Sequence, residues 1–181
     1  SHANVSVCFS NPIAVLQNNI NCTINLFEAI RLLELDPIVE HCSTSELYGQ
    51  ITKQDCPIKE THPLNPVNIY AVSKLAQEKI AISYYYSYGI KVIITRAFAY
   101  LNPRREDIFS SSFAKRIVEV ERGVISELIH GNLDSTRTLI DVRDIAEAYW
   151  LATQYCEYGE PYNVGGLTII TVGEFLDMLK S

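Results

Sequence analysis

Tyr70 and Lys74 stand four residues apart inside a periodic stretch that predicts a helix over 69–88. On a helix that spacing puts both side chains on one face, about one turn apart. An ammonium beside a phenol favours the phenolate and draws its pKa down from about 10. A tyrosine tuned this way can exchange a proton with a sugar hydroxyl or carbonyl near neutral pH. Alone the spacing says little, because the chain has eleven tyrosines. Upstream, Ser43-Thr44-Ser45-Glu46 follows the apolar stretch that leads from Ile38 to Cys42. At the end of a strand in a parallel sheet, its hydroxyls and carboxylate would emerge where such sheets bind ligands. The other reading is a strand-end turn whose Ser and Thr cap nearby amides.

The elements that must position these groups are legible in outline. Ile13, Leu16, Ile20, Ile24, Phe27 and Ile30 recur at three and four, predicting a helix from Pro12 to Leu35 that Pro37 stops. Residues 50–68, with Pro57, Pro63 and Pro66, read as a surface loop. Gly89 closes the helix that carries Tyr70, and Lys91–Thr95 is an apolar, β-branched strand. Helix, strand, helix, strand predicts βαβ units on a parallel sheet over residues 1–100. Residues 101–181 read as a smaller α/β annex. It holds a helix from Ser110 to Arg122, a short strand over 127–130 and a helix over 141–154 capped by Asp141. A strand over 161–164 and a last helix opened by a Thr171/Glu174 capping box complete it.

Composition narrows the class. The chain has 181 residues, 48 % hydrophobic and 20 % charged, with a net charge of -6. This is globular, and its acidity argues against a nucleic-acid or polybasic membrane binder. The five cysteines form no CxxC and the four histidines no HxxxH, so neither a metal site nor a disulfide framework is expected. Free thiols and no apolar run of membrane-spanning length predict a soluble cytoplasmic protein. The sequons at Asn4 and Asn21 are taken as chance matches.

Ser43-Thr44-Ser45-Glu46-Leu47-Tyr48-Gly49, followed by Pro66-Val67-Asn68-Ile69-Tyr70-Ala71-Val72-Ser73-Lys74, resembles the extended short-chain dehydrogenase/reductase superfamily. Pro103-Arg104-Arg105-Glu106 resembles a loop of GDP-mannose 4,6-dehydratases. Gly131–Arg137, Asp141–Asp144 and Ala148–Trp150 resemble those enzymes and their sister GDP-4-keto-6-deoxymannose reductases. The resemblance implies an α/β fold: part of a doubly wound, Rossmann-like parallel sheet with a smaller α/β substrate-binding annex. It implies Thr44, Glu46, Tyr70 and Lys74 as the catalytic set, and NADP as cofactor, contacted by Ser1, Lys74, Tyr100 and Arg105. Asn132 and Arg137 would hold a nucleotide sugar of the GDP-mannose class. The implied assembly is a homo-oligomer, in which the Arg104–Arg105 loop reaches a neighbouring subunit's cofactor.

The departures carry information. None of the eight glycines forms a GxxGxxG or GxGxxG turn, the family's pyrophosphate cradle. Relative to the family both ends are missing. The expectation is a fragment, a truncated product or a chain completed by another, with one strand edge and part of an apolar layer open. Ala99 and Tyr100 stand where the family usually has Asn and His. The resemblance implies a dehydratase converting GDP-mannose to its 4-keto-6-deoxy product. The alternatives are the sister reductase, another nucleotide-sugar epimerase or dehydratase, and a non-catalytic fragment that binds only the sugar nucleotide.

Overall fold

A computed structural model describes residues 3, 5–106 and 108–180. The chain divides into two units that interleave in sequence rather than meeting once near residue 100. Residues 1–97 and 147–164 form the first; residues 98–146 and 165–181 form the second.

In the first unit, helices α1 (Val5–Ser10) and α2 (Pro12–Leu32) precede strand β1 (Val39–Cys42). Asn11 caps α2 by accepting from the Ala14 amide at 3.2 Å, with Pro12 in the first turn. The helix ends at Leu32, three residues short of the sequence reading. Glu34 adopts a left-handed φ of 51°, and the amides of Glu34 and Leu35 return to the Arg31 and Ile30 carbonyls. That is a Schellman termination built on a glutamate, so no glycine marked it.

The buried stripe of α2 is also rotated from the one expected. Val15, Asn19, Thr23, Phe27 and Ile30 face inward, while Ile13 is exposed. Two of these five are polar because helix α3 (Ile69–Tyr88) answers them. Asn19 Nδ2 donates to Ser73 Oγ at 2.9 Å, and Gln77 Nε2 donates to the Asn19 carbonyl and to Thr23 Oγ1 at 2.8 and 2.6 Å. Farther along, the interface turns apolar, with Phe27, Ile30, Ala81, Ile90 and Val92 clustered under Val39, Tyr84 and Tyr85.

α3 connects β1 to strand β2 (Val92–Ala97), and the two strands pair in parallel from Val39↔Val92 to Cys42↔Thr95. This is the βαβ unit expected from the pattern. On the far side of β2 lies a strand from the end of the unit (Pro161–Val164), also parallel. β1 is therefore an edge strand of the three-stranded sheet, and Val92–Arg96 at its centre are all buried.

The second unit holds β3 (Tyr100–Leu101), α4 (Phe109–Glu121) and β4 (Thr136–Asp141), and helix α5 (Val142–Tyr155) begins in it. With the 161–164 strand numbered β5, β6 (Thr168–Thr171) and α6 (Val172–Lys180) complete the unit. β4 pairs in parallel with β3 and antiparallel with β6. The strand expected at 127–130 does not form. β4, read TRTLID, forms instead, because its pairing partners lie far off in sequence. Asp141 ends β4 and accepts from the Arg143 amide at 2.8 Å, and the Thr171/Glu174 capping box is present at the start of α6. Phe113, Val172 and Leu176 form this unit's core.

Phe27 is fully buried, with the Tyr84 ring 5.2 Å away. Truncation to Phe27→Ala is expected to cost about 3–5 kcal/mol in urea unfolding monitored on the first unit. A loss below about 1 kcal/mol would show that this cluster is not its core.

Candidate active site

β1 runs out at Cys42, and the Ser43 amide still bonds the Thr95 carbonyl at 2.7 Å. The chain then turns through a 3-10 helix (Ser45–Tyr48). Thr44 caps it, its hydroxyl accepting from the Glu46 amide at 3.3 Å. Gly49 ends the turn at φ 74°, and a Cβ there would collide with the Asn65 carbonyl, so only glycine fits. The Asn65 amide reaches the Leu47 carbonyl at 2.8 Å, which fastens the returning loop to the turn.

The Glu46 carboxylate is exposed and accepts from Asn68 Nδ2 at 2.7 Å. Asn68 also caps α3, accepting from the Ala71 amide at 2.8 Å. One asparagine thus joins the turn bearing Thr44 and Glu46 to the first turn of the helix bearing Tyr70. Tyr70 is half-buried and Lys74 is 5 % exposed. Burial pulls the Lys74 ammonium below its usual pKa, while Cys42, Glu40 and Glu78 act in the opposite direction. Thr44, Glu46, Tyr70 and Lys74 all belong to the first unit, at the carboxyl end of β1 and the opening turns of α3.

Beneath them lies a buried polar network that the sequence did not disclose. Glu78 is fully buried and Arg96, on β2, is 3 % exposed. Arg96 Nη2 and Nε donate to the two Glu78 oxygens at 2.6 and 3.2 Å. Ser43 Oγ donates to Glu78 at 2.9 Å. Arg96 Nη1 donates to Tyr48 Oη and to the Glu60 carbonyl, both at 2.9 Å. Tyr48 Oη donates in turn to Asn163 Oδ1 at 2.7 Å. The available signs were an arginine at the end of the apolar run Val92–Thr95 and a glutamate four residues beyond Lys74.

The other candidate residues fall elsewhere. Tyr100 lies on β3 and Arg105 in the following loop, where its amide bonds the Asn102 carbonyl at 3.2 Å. Arg104 is exposed. Asn132 is exposed, its side chain accepting from the Asp134 amide at 2.8 Å. Arg137 is exposed on β4 opposite Ile170, and its guanidinium donates to the Thr136 carbonyl at 2.8 Å. All of these belong to the second unit. Ser1 lies outside the described residues. Among the described residues no cluster of three metal-ligating side chains occurs, and no helix is long and apolar enough to cross a membrane. All five cysteines are free thiols.

With the site in view, comparison with known proteins places the chain. The sequence model described as GDP-mannose 4,6 dehydratase matches residues 1–180. The chain belongs to that family. It is 30 % identical to the GDP-6-deoxy-D-mannose reductase of Pseudomonas aeruginosa over 177 residues, covering 97 % of this chain and 58 % of that one. It is 33 % identical to the GDP-mannose 4,6-dehydratase of Vibrio cholerae over 181 residues, covering 98 % of this chain and 48 % of the relative. The structure of RMD from Pseudomonas aeruginosa complexed with NADPH matches with a TM-score of 0.93 and 28 % identity, over 98 % of this chain and 62 % of that one. The chain spans about half the length of the curated relatives it matches. The α/β fold with a Rossmann-like parallel sheet and the short-chain dehydrogenase/reductase kinship are both confirmed. The relatives are nucleotide-sugar enzymes.

His41, on β1, is 8 % exposed and its Nε2 has no hydrogen-bond partner among the described residues. Burial, helped by the Lys74 charge, pushes its pKa from 6.5 down to about 3. The unfolded chain therefore takes up this proton first. The contribution to stability is complete above pH 6.5 and is lost as the pH falls toward 3. Between pH 6.5 and 5 the native protein should lose about 2 kcal/mol more than His41→Gln in urea unfolding. Parallel pH profiles would show that His41 is not held neutral.

Proposed function

We propose that this chain carries the acid/base site of a nucleotide-sugar 4,6-dehydratase that acts on a substrate of the GDP-mannose class. The observation that supports this most is the Glu46 carboxylate held by the cap of the Tyr70 helix at 2.7 Å. C4 oxidation needs a base for the O4 proton, and elimination needs a second base for the C5 proton. In this reading Tyr70 takes the proton from the C4 hydroxyl, favoured by the Lys74 charge. Thr44 donates to the developing charge at O4. Glu46 takes the C5 proton, acidified by the C4 ketone, and delivers it to the departing C6 hydroxyl, which leaves as water.

A bound nicotinamide dinucleotide, NADP in this reading, would hold the C4 hydride and supply it again at C6, while Glu46, reprotonated from solvent, gives C5 its proton and Tyr70 releases the O4 proton to solvent, so that both bases return to their starting state. The donor set fits the ribose end of such a cofactor, since a buried ammonium with partial charge compensation suits hydroxyl acceptors. No Gly-rich turn for the pyrophosphate is present in these 181 residues. Tyr100 and Arg105 remain candidates for cofactor contact, Asn132 and Arg137 for the nucleotide, and a homo-oligomer for the assembly.

A second reading is reduction of a 4-keto-6-deoxy sugar. It is favoured by the match to the Pseudomonas reductase across 97 % of the chain. It requires Tyr70, Lys74 and Thr44 but no proton abstraction by Glu46.

The complete gene product, given GDP-mannose and catalytic NADP, is expected to accumulate a 4-keto-6-deoxy product. Stoichiometric NADPH consumption on the keto sugar, with no dehydration, would replace this reading with the reductase. GDP binding with neither NADP binding nor turnover would leave only a nucleotide-sugar holder. Tyr70→Phe should lower kcat about 10²–10⁴-fold with nucleotide affinity within about twofold. Glu46→Gln should abolish water elimination yet still permit C4 hydride transfer, read as reduced-nicotinamide absorbance formed in a single turnover with stoichiometric NADP. Elimination by Glu46→Gln at the native rate would remove Glu46 from the mechanism.

A further inference from the structure

The Glu78–Arg96 pair does more than satisfy itself. Beyond the Glu60 carbonyl, its remaining hydrogen bonds go to the two ends of one short segment. Ser43, the residue before Thr44, donates to Glu78, and Tyr48, two residues after Glu46, accepts from Arg96. The Arg96 guanidinium also lies over the Tyr48 ring, 5.3 Å from its centroid. Glu78 stands on α3 one turn beyond Lys74 and two beyond Tyr70, so the same rigid helix carries the clamp and the proposed acid/base pair.

We propose that the buried Glu78–Arg96 pair is a positioning device that grips segment 43–48 at both ends and so sets where Thr44 and Glu46 stand relative to the helix of Tyr70 and Lys74. This rests on the function proposed above. The physical case has three parts. Charge-assisted hydrogen bonds in a dry interior are short and directional, and here they run from 2.6 to 3.2 Å. Neither charge can leave its partner without standing unpaired away from water, so the arrangement holds as a unit. The segment between the grips contains a single 3-10 turn, too short to absorb slack. Asn163 adds a third tie through Tyr48 and is itself held, its backbone N–H donating to Glu60 Oε1 at 2.8 Å and its side-chain Nδ2 to the Ile58 carbonyl at 3.0 Å. Burial holds the Lys74 pKa below its usual value, and Cys42, Glu40 and, last, Glu78 oppose that shift.

Ser43→Ala and Tyr48→Phe each remove one grip and leave the ion pair in place, so the fold is retained. In the complete gene product each should lower kcat about tenfold with KM for the nucleotide sugar within about twofold. Hydrogen exchange at the amides of Glu46, Leu47 and Gly49 should quicken at least tenfold, while amides around Phe27 and Ile30 keep their native rates. Uniform quickening across the first unit would mean a general stabilising role and overturns the proposal, as does unchanged exchange in 44–49. Native kcat in both variants also overturns it. Should the native protein itself show no turnover, the proposed function falls, and the exchange pattern still decides whether the pair grips the segment.

Discussion

An ion pair with neither partner exposed to water constrains everything around it. Taking a carboxylate and a guanidinium out of solvent costs several kcal/mol each, and mutual attraction offsets this only when the remaining donors and acceptors are also matched. Glu78 and Arg96 meet that requirement by drawing on five segments of the first unit: α3, β2, the end of β1, the 3-10 turn and the loop at Ile58–Glu60, with β5 joined through Tyr48. An apolar pair of similar volume would pack there without asking where Ser43 or Tyr48 stood. The charged pair does ask, and it thereby converts burial into geometry.

The same logic runs along α3. Its inward face is not a hydrophobic stripe: it carries Ser73, Lys74, Gln77 and Glu78 between Ala71 and Ala81. α2 answers with Asn19 and Thr23 at the level of Ser73 and Gln77. Slipping one helix past the other by a single residue would strand buried amides, whereas two leucine-rich faces would tolerate it. The apolar cluster of Phe27, Ile30 and Ala81 supplies the adhesion, and the polar contacts supply the register. A helix whose register is fixed in this way is a sound base for the proton transfer proposed for Tyr70, because such transfer falls off sharply with misplacement.

In the function proposed above, the carboxylate on the turn is what dehydration asks for beyond the C4 chemistry. Tyrosine, lysine and threonine suffice to move a hydride and a proton at C4. Loss of water across C5 and C6 needs one further base. Asn68 serves both as helix cap and as the Glu46 partner, so the proposed second base and the first turn of the helix bearing Tyr70 share one side chain.

The sequence by itself determined the βαβ unit, both ends of α3 and the family, and it nominated the four residues of the candidate site. These are local matters: a cap at Asn68, a left-handed Gly89, an i,i+4 pair and a motif read in one stretch. It misread the end of α2, because a glutamate took the left-handed position that glycine usually holds. It placed the wrong stripe inward on that helix, because Asn19 and Thr23 are buried only by virtue of Ser73 and Gln77, more than fifty residues away. It missed β4, whose exposed threonine and arginine look like a loop until β3 and β6 pair with it. Only the tertiary structure decided which charged residues are buried and joined, since a contact between Glu78, Arg96, Ser43 and Asn163 depends on the folded path of the chain and leaves no period in the sequence.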